Sequence, residues 1–200
     1  MGKWVDQLFA FARAQHPRAV RGMEEALNEN PTRFTEITEH MLEVLEPLLG
    51  EDMLERSMSA FVRFSESVIL GQARYERSGT YENKSYAEVN AALYSQRAHM
   101  DDYLIGSYLT NILWAHHVDL TLFYIDRFLH RVADKGAELN IVELAPGHGA
   151  WGQMALEYYP NASLKGFDIS PSSMAIARVL ADASGVGERA SYIECNALQI

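Results

Sequence analysis

The sequence contains one cysteine, no cluster of basic residues and no long apolar run. Because Cys195 has no partner in the chain, no internal disulfide can form; this is typical of a reducing compartment, and we expect a cytoplasmic protein. The net charge of −10 and the lack of a basic cluster exclude the electrostatic footprint of a nucleic-acid-binding protein. No apolar stretch approaches the roughly 20 residues that cross a bilayer, so we expect no membrane contact.

Proline and glycine are also rare over a long part of the chain. Between Tyr86 and Val132 there is no proline and only one glycine, Gly106. Apolar residues recur at helical spacing from Trp4 onward, which is the pattern of amphipathic helices that bury one face. The sequence therefore predicts an all-helical domain over residues 1–137.

From residue 138 the pattern changes to short apolar segments that alternate with helical ones. The order strand, helix, strand, helix, strand predicts the α/β fold class, with residues 138–200 forming the first half of a Rossmann-like parallel sheet. Strands of such a sheet are buried on both faces, and we expect this of the first strand. The predicted strands are 139–144, 164–168 and 191–195, and the predicted helices are 150–159 and 171–183.

A glycine-rich turn follows the first predicted strand. Gly147, Gly149 and Gly152 form the pattern G-x-G-x-x-G at the start of a helix. Glycine allows a positive φ and lets a ligand approach where a Cβ would block it. The helix behind the turn directs unpaired N–H groups at that ligand. The turn therefore predicts a cradle for a nucleotide-type cofactor, although several cofactor classes share this pattern.

Three polar side chains narrow the choice of cofactor. Asp168 ends the second predicted strand, where a carboxylate can accept hydrogen bonds from both ribose hydroxyls, and this fits either NAD or S-adenosylmethionine. Glu143 precedes the glycines; its carboxylate would attract a cationic amino-acid moiety and repel a pyrophosphate. Asn196 follows the third strand, where its side chain can hydrogen-bond the edge of adenine. Glu143 in particular favours S-adenosylmethionine.

The same region resembles the first half of a class I S-adenosylmethionine-dependent methyltransferase. Residues 143–149, Glu-Leu-Ala-Pro-Gly-His-Gly, are similar to the first motif of that family, an acidic residue followed by three alternating glycines. Residues 167–170, Phe-Asp-Ile-Ser, resemble the second motif, and residues 194–197, Glu-Cys-Asn-Ala, resemble the third. Ala145 stands where the family has its first glycine, and Asn196 stands where many relatives have aspartate.

The resemblance implies a role for each matched residue. It assigns the methionine end of the cofactor to Glu143, Ala145 and the backbone of Gly147 and Gly149. Asp168 would hold the ribose. The adenine would be flanked by Ile169 and read at its edge by Asn196 and Ala197.

The resemblance also implies the rest of the enzyme. Helices before the sheet resemble the lid or dimerisation domains of small-molecule methyltransferases, so a small-molecule acceptor and a homodimer through the N-terminal helices are the expected partners. The family's sheet has seven strands, whereas this sequence supplies three. We therefore expect the third strand to pair with strands beyond Ile200, in a longer enzyme. No catalytic residue can be assigned.

Other residues and other functions remain open at this point. His148 lies in the predicted cradle, where packing is a commoner role than chemistry for a loop histidine. His116 and His117 are adjacent on a predicted helix and cannot share a face. With Asp119 they suggest a metal site or a general base, but histidines that are satisfied within a helix are commoner. The aromatic residues Tyr103, Tyr108 and Trp114 fit a core or an interface. The alternative functions are an NAD-dependent oxidoreductase and a non-catalytic helical interaction protein with a degenerate cofactor fold.

Overall fold

The computed structural model describes residues 2–83, 85–94 and 96–196, which form a mostly helical α/β structure. The described residues that precede the sheet are mostly helical, as the apolar spacing predicts. Pro17 and Pro31 each occupy the first turn of a helix, where proline needs no hydrogen-bond partner for its nitrogen. The helices of this part are α1 (Lys3–Gln15), α2 (Pro17–Glu29), α3 (Pro31–Leu49), α4 (Met53–Ser78), α5 (Tyr86–Val89), α6 (Arg97–Leu113), α7 (Ala115–Phe123) and α8 (Leu129–Val132).

Two π-helical turns interrupt the helical part. Asn90–Tyr94 continues α5, and Tyr124–Phe128 joins α7 to α8. The start of α5 is capped by Ser85, whose hydroxyl accepts a hydrogen bond from the Glu88 N–H at 3.3 Å. These turns redirect the side chains that follow them, because a π-turn takes more residues than an α-turn.

The predicted alternation of strands and helices is confirmed after residue 138. The strands β1 (Asn140–Leu144), β2 (Ser163–Asp168) and β3 (Ala190–Glu194) form a parallel sheet in the order β1-β2-β3. The connecting helices are α9 (Ala150–Tyr158) and α10 (Pro171–Ala183). Ser170 caps α10 by accepting a hydrogen bond from the Ser173 N–H at 3.2 Å, as its position before Pro171 predicts.

The two connecting helices cover the same face of the sheet. Leu164 and Tyr192 lie in this face and belong to a buried cluster with residues of α9 and α10. On the opposite face, Val142 is 62% exposed and Leu144 is 58% exposed. The expectation of a first strand buried on both faces is therefore wrong for the described residues. The cause is that nothing in this part of the chain packs on the second face.

The sheet also has two unpaired edges within the described residues. β2 is the central strand, so β1 and β3 each pair on one side only. The expected pairing of β3 with strands beyond Ile200 lies outside the part of the chain that the structure describes. In that part, no helix combines the length and the apolar character that a bilayer crossing requires.

The helical part and the sheet part share a hydrophobic core. Met154 of α9 and Ile176 and Leu180 of α10 are buried in one cluster with residues of α1, α3 and α6. The side of α10 that faces away from the sheet packs on α3 and α6. This packing brings α6 over the glycine-rich turn and so positions the helical part beside the candidate site.

Candidate functional site

The turn between β1 and α9 has the backbone conformation that glycine favours. Ala145, Gly147 and Gly149 have φ values of 53°, 57° and 76°. The turn is fixed at both ends, because the Ala145 N–H donates to the Phe167 carbonyl at 2.8 Å and the Gly149 N–H donates to the Pro146 carbonyl at 2.8 Å. Ala145 is thus a non-glycine residue in the left-handed region, at the position where the resembling family has glycine.

The three glycines of the predicted pattern have different surroundings. A Cβ on Gly149 would lie 2.9 Å from the Ala177 Cβ and 3.0 Å from the Tyr192 hydroxyl, and a Cβ on Gly152 would overlap the Glu143 carboxylate. These two glycines allow close packing. Among the described residues, a Cβ on Gly147 would meet only the Leu104 side chain, at 3.7 Å. Gly147 is therefore the glycine that keeps the surface of the turn open to a ligand.

Asp168 joins the turn to the second strand. It is buried at the end of β2, where its Oδ2 accepts a hydrogen bond from the Gly147 N–H at 3.1 Å and its Oδ1 accepts one from the Ser170 N–H at 2.9 Å. A carboxylate has about four lone-pair sites, so each oxygen keeps capacity for a further donor. The carboxylate thus lies directly beside the glycine-rich turn, as the predicted cofactor site requires.

Glu143 lies beneath the turn, on the face of the sheet that α9 covers. Its Oε2 is buried and has no hydrogen-bond partner among the described residues. Burial raises the pKa of Glu143 to about 7, and the nearby Gly152 N–H opposes part of this shift. No charged partner of this carboxylate is found in the part of the chain that the structure describes. A cationic group at the turn would supply one.

His148 is packed by the helical part. Its ring meets the Tyr108 ring of α6 edge to face, with 5.3 Å between centroids, and its Nδ1 accepts a hydrogen bond from the Ala150 N–H at 3.2 Å. Burial lowers the pKa of His148 to about 4, so the ring is neutral near pH 7. His148 therefore packs against α6 and satisfies the first N–H group of α9.

The predicted adenine-binding residues are only partly described. Ile169 is half-buried directly after β2, and Asn196 is exposed two residues beyond the end of β3. The Cys195 N–H donates to the Asp168 carbonyl at 2.8 Å, which holds the end of β3 beside the end of β2. Ala197 lies outside the described residues.

A cavity of about 390 Å³ adjoins these strand ends, and sequence reasoning did not find it. One wall is formed by Ile169 and the first turns of α10, and the other by the segment that runs from α5 into α6. Three side chains of that segment follow a spacing of four residues, which is the signal that could have revealed the wall. They are Tyr86, Asn90 and Tyr94, and Arg97 extends the same wall.

The remaining aromatic and histidine candidates lie apart from this cavity. Tyr103 packs edge to face on Phe64, with 5.1 Å between centroids. His116 and His117 are adjacent on α7, and their rings contact each other edge to face with centroids 4.6 Å apart. Both rings also contact the ring of Trp114, the extended residue that precedes α7.

The Nδ1 atom of His117 forms a hydrogen bond with the Thr110 hydroxyl at 2.8 Å, and burial lowers the pKa of His117. Within the residues that the structure describes, no three histidine, cysteine, aspartate or glutamate side chains form a candidate metal site.

In comparisons with models of protein families and with curated proteins, the chain matches none of them.

Proposed function

We propose that the turn between β1 and α9 binds S-adenosylmethionine and that the protein transfers its methyl group to a small molecule. The proposal rests on one observation: at the ends of β1 and β2, the open turn at Gly147 is hydrogen-bonded to the Asp168 carboxylate. Cofactors that contain a ribose bind at this place in open parallel α/β sheets. The resemblance of residues 143–149, 167–170 and 194–197 to three methyltransferase motifs supports the same conclusion.

The buried carboxylate of Glu143 favours one of the ribose-containing cofactors over another. Glu143 is buried and its Oε2 has no hydrogen-bond partner among the described residues, so a ligand with an ammonium group would compensate it. S-adenosylmethionine carries such a group, whereas the pyrophosphate of NAD would be repelled. This difference supports the methyl donor over the dinucleotide.

The described residues fit the cofactor at both ends of the turn. Asp168 would accept hydrogen bonds from the ribose hydroxyls with the lone pairs that Gly147 and Ser170 leave open. Leu104 and Tyr108 of α6 lie against the turn and would exclude water from it. When bound, S-adenosylmethionine supplies an electrophilic methyl group, and the protein's task is to align an acceptor with it in a dry pocket.

The acceptor is assigned by class only. The net charge of −10 makes nucleic acids unfavourable partners, because their phosphates would be repelled. A small molecule that enters between the helical part and the turn fits this charge. The N-terminal helices would then serve as the cover of the acceptor pocket.

Titration calorimetry with S-adenosylmethionine tests the proposal. We expect Asp168→Ala to weaken binding by about 1.5–3 kcal/mol, the value of charge-assisted hydrogen bonds to a ribose. Asp134→Ala is the matched control, since Asp134 is exposed at the end of the helical part and should leave the affinity unchanged. Gly147→Val should abolish binding while circular dichroism stays near that of the wild type, because the branched side chain fills the open side of the turn.

Two further measurements identify the cofactor class. Near pH 7 a bound ammonium group should displace the proton that Glu143 holds, so the apparent binding enthalpy should depend on the ionisation enthalpy of the buffer, and Glu143→Gln should remove that dependence. Titration with NADH is the second measurement. Binding of NADH in place of S-adenosylmethionine would make the protein a dinucleotide enzyme, and binding of neither would contradict a cofactor site at this turn.

A further inference from the structure

The cavity of about 390 Å³ between the helical part and α10 has the size of a small-ligand pocket. Its lining is mixed: Tyr86 and Tyr94 belong to the helical segment, and Ile169, Pro171 and Ala175 supply apolar side chains from the other side. Its polar groups come from Asn90, Ser172, the acidic Glu194 and the basic Arg97. Flat aromatic and aliphatic walls with a few polar groups are suited to a heteroaromatic ring.

The cavity lies next to the carboxylate that would hold the ribose. Ile169 directly follows Asp168 in the chain, and Glu194 is the register partner of Asp168 across β2 and β3. The backbone N–H of Ser170, one residue further, donates to Asp168 Oδ1 at 2.9 Å. A nucleoside whose ribose contacts Asp168 would therefore place its base toward this cavity.

The helical wall is built by a repeat of four residues. Tyr86, Asn90 and Tyr94 follow one another at this interval, so their side chains lie on one side of the segment. The last two belong to the π-turn Asn90–Tyr94, which keeps side chains four positions apart in line. Tyr94 is half-buried against the shared core, and this contact fixes the wall in front of α10.

We infer that this cavity binds the adenine base of an adenosine-containing cofactor, with the N-terminal helices supplying one side of the base pocket. The ring of Tyr94 stacks on one face of the base and Ile169 contacts the other. Glu194 accepts a hydrogen bond from the exocyclic amino group, which adenine can donate. The inference rests on the proposed function and adds to it that the helical part binds the cofactor as well as the acceptor.

Calorimetric titration with two probes, S-adenosylmethionine and adenosine alone, tests the inference. Tyr94→Leu keeps an apolar side chain but removes the aromatic face, and it should weaken the binding of both probes by about 5- to 50-fold. Tyr94→Phe keeps that face and should bind both probes within about twofold of the wild type. Tyr81→Leu is the matched control, since Tyr81 is 73% exposed, stacks on Tyr75 and lies outside the cavity.

A second variant keeps the test valid if Tyr94→Leu does not fold. Ala175→Phe, on the opposite wall, should fill the cavity and abolish adenosine binding while leaving the thermal transition of the protein near that of the wild type. If Asp168→Ala weakens S-adenosylmethionine binding but Tyr94→Leu and Ala175→Phe bind like the wild type, the inference is overturned and the proposed function stands. If the wild type binds no adenosine compound, both are overturned.

Discussion

Ala145 has a φ of 53° at the start of the glycine-rich turn. A residue with a Cβ pays about 1–2 kcal/mol in this region, because the Cβ approaches the following carbonyl oxygen. The surrounding structure holds it there through the hydrogen bond of its N–H to the Phe167 carbonyl, at 2.8 Å. The turn therefore contains local strain at a residue that faces solvent.

We expect Ala145→Gly to raise the free energy of unfolding by about 0.5–1 kcal/mol, because relief of the strain exceeds the entropy that glycine adds to the unfolded chain. Urea denaturation measures the change. Ala73→Gly, in the exposed part of α4, is the matched control and should lower the free energy by about 1 kcal/mol, the helix propensity of alanine over glycine. Equal losses in both variants would show that Ala145 is unstrained.

Two buried titratable residues near the turn give opposite dependences of stability on pH. Burial raises the pKa of Glu143 from 4.5 to about 7, so the stability that Glu143 contributes is present below pH 4.5 and is lost as the pH rises to 7. Burial lowers the pKa of His148 from 6.5 to about 4, so its contribution is present above pH 6.5 and is lost as the pH falls to 4. The two dependences largely cancel between pH 4.5 and 6.5.

Glu143→Gln should remove one of these dependences and reveal the other. Relative to the wild type, the free energy of unfolding of the variant should gain about 2–3 kcal/mol between pH 5 and pH 8, because the glutamine never ionises. Urea midpoints at a series of pH values provide the measurement. Glu188→Gln, at an exposed position, should give a profile parallel to that of the wild type; a parallel profile for Glu143→Gln would contradict the raised pKa.

At the scale of elements, the most extensive contact between described helices is that of α4 with α6. A Cβ on Gly106 of α6 would lie 2.5 Å from the Phe64 Cβ and 2.6 Å from the Ala60 carbonyl oxygen. Both neighbours are fixed parts of α4, one of them backbone. The glycine therefore sets the distance between the two helices, and α6 is the helix that covers the candidate site.

Gly106→Ala should lower the free energy of unfolding by about 1–3 kcal/mol, since the overlap with α4 outweighs the better helix propensity of alanine. Gly71→Ala is the matched comparison: a Cβ there would meet no described residue within 4 Å, so this variant should be about 0.5–1 kcal/mol more stable than the wild type. Denaturation of the two variants side by side measures both changes in the free energy of unfolding. Stabilisation by both would mean that α4 and α6 can separate without cost.

The contrast between local and long-range contacts also explains what the sequence could predict. The cap at Ser170 and the positive φ of Gly147 depend on neighbouring residues, and both follow from the sequence pattern. The role of Gly106 could not be predicted, because it depends on a helix about forty residues away. Tyr94 could not be predicted for the same reason. The four-residue spacing of Tyr86, Asn90 and Tyr94 is visible in the sequence, but the residues of α10 on the other side of the cavity are known only from the fold.

At the scale of the whole molecule, side chains from before and after residue 138 are buried together in the same hydrophobic clusters. Leu129, from the helical part, is buried in the cluster beneath the sheet, and Leu180, from α10, is buried in the cluster of the helical part. Hydrogen bonds cross in the same way, because the Tyr124 hydroxyl donates to the Trp151 carbonyl at 3.1 Å. The helices that cover the candidate site and the sheet that forms it therefore stabilise each other.

We expect the described part of the protein to unfold in one cooperative step. Leu180→Ala should lower the free energy of unfolding by about 2–5 kcal/mol, because Leu180 is fully buried where α10 meets the helical part and its loss leaves a cavity. Circular dichroism, which reports the helices, and the fluorescence of Trp151, isolated by replacing Trp4 and Trp114 with phenylalanine, should shift to the same new midpoint. Val179→Ala is the control on the same helix; its side chain is 37% exposed, and its effect should stay below about 1 kcal/mol. If Leu180→Ala instead separated the two signals, with the helices unfolding at their original midpoint, the helical part would be stable without the sheet, and the shared core would be a contact between two independent units.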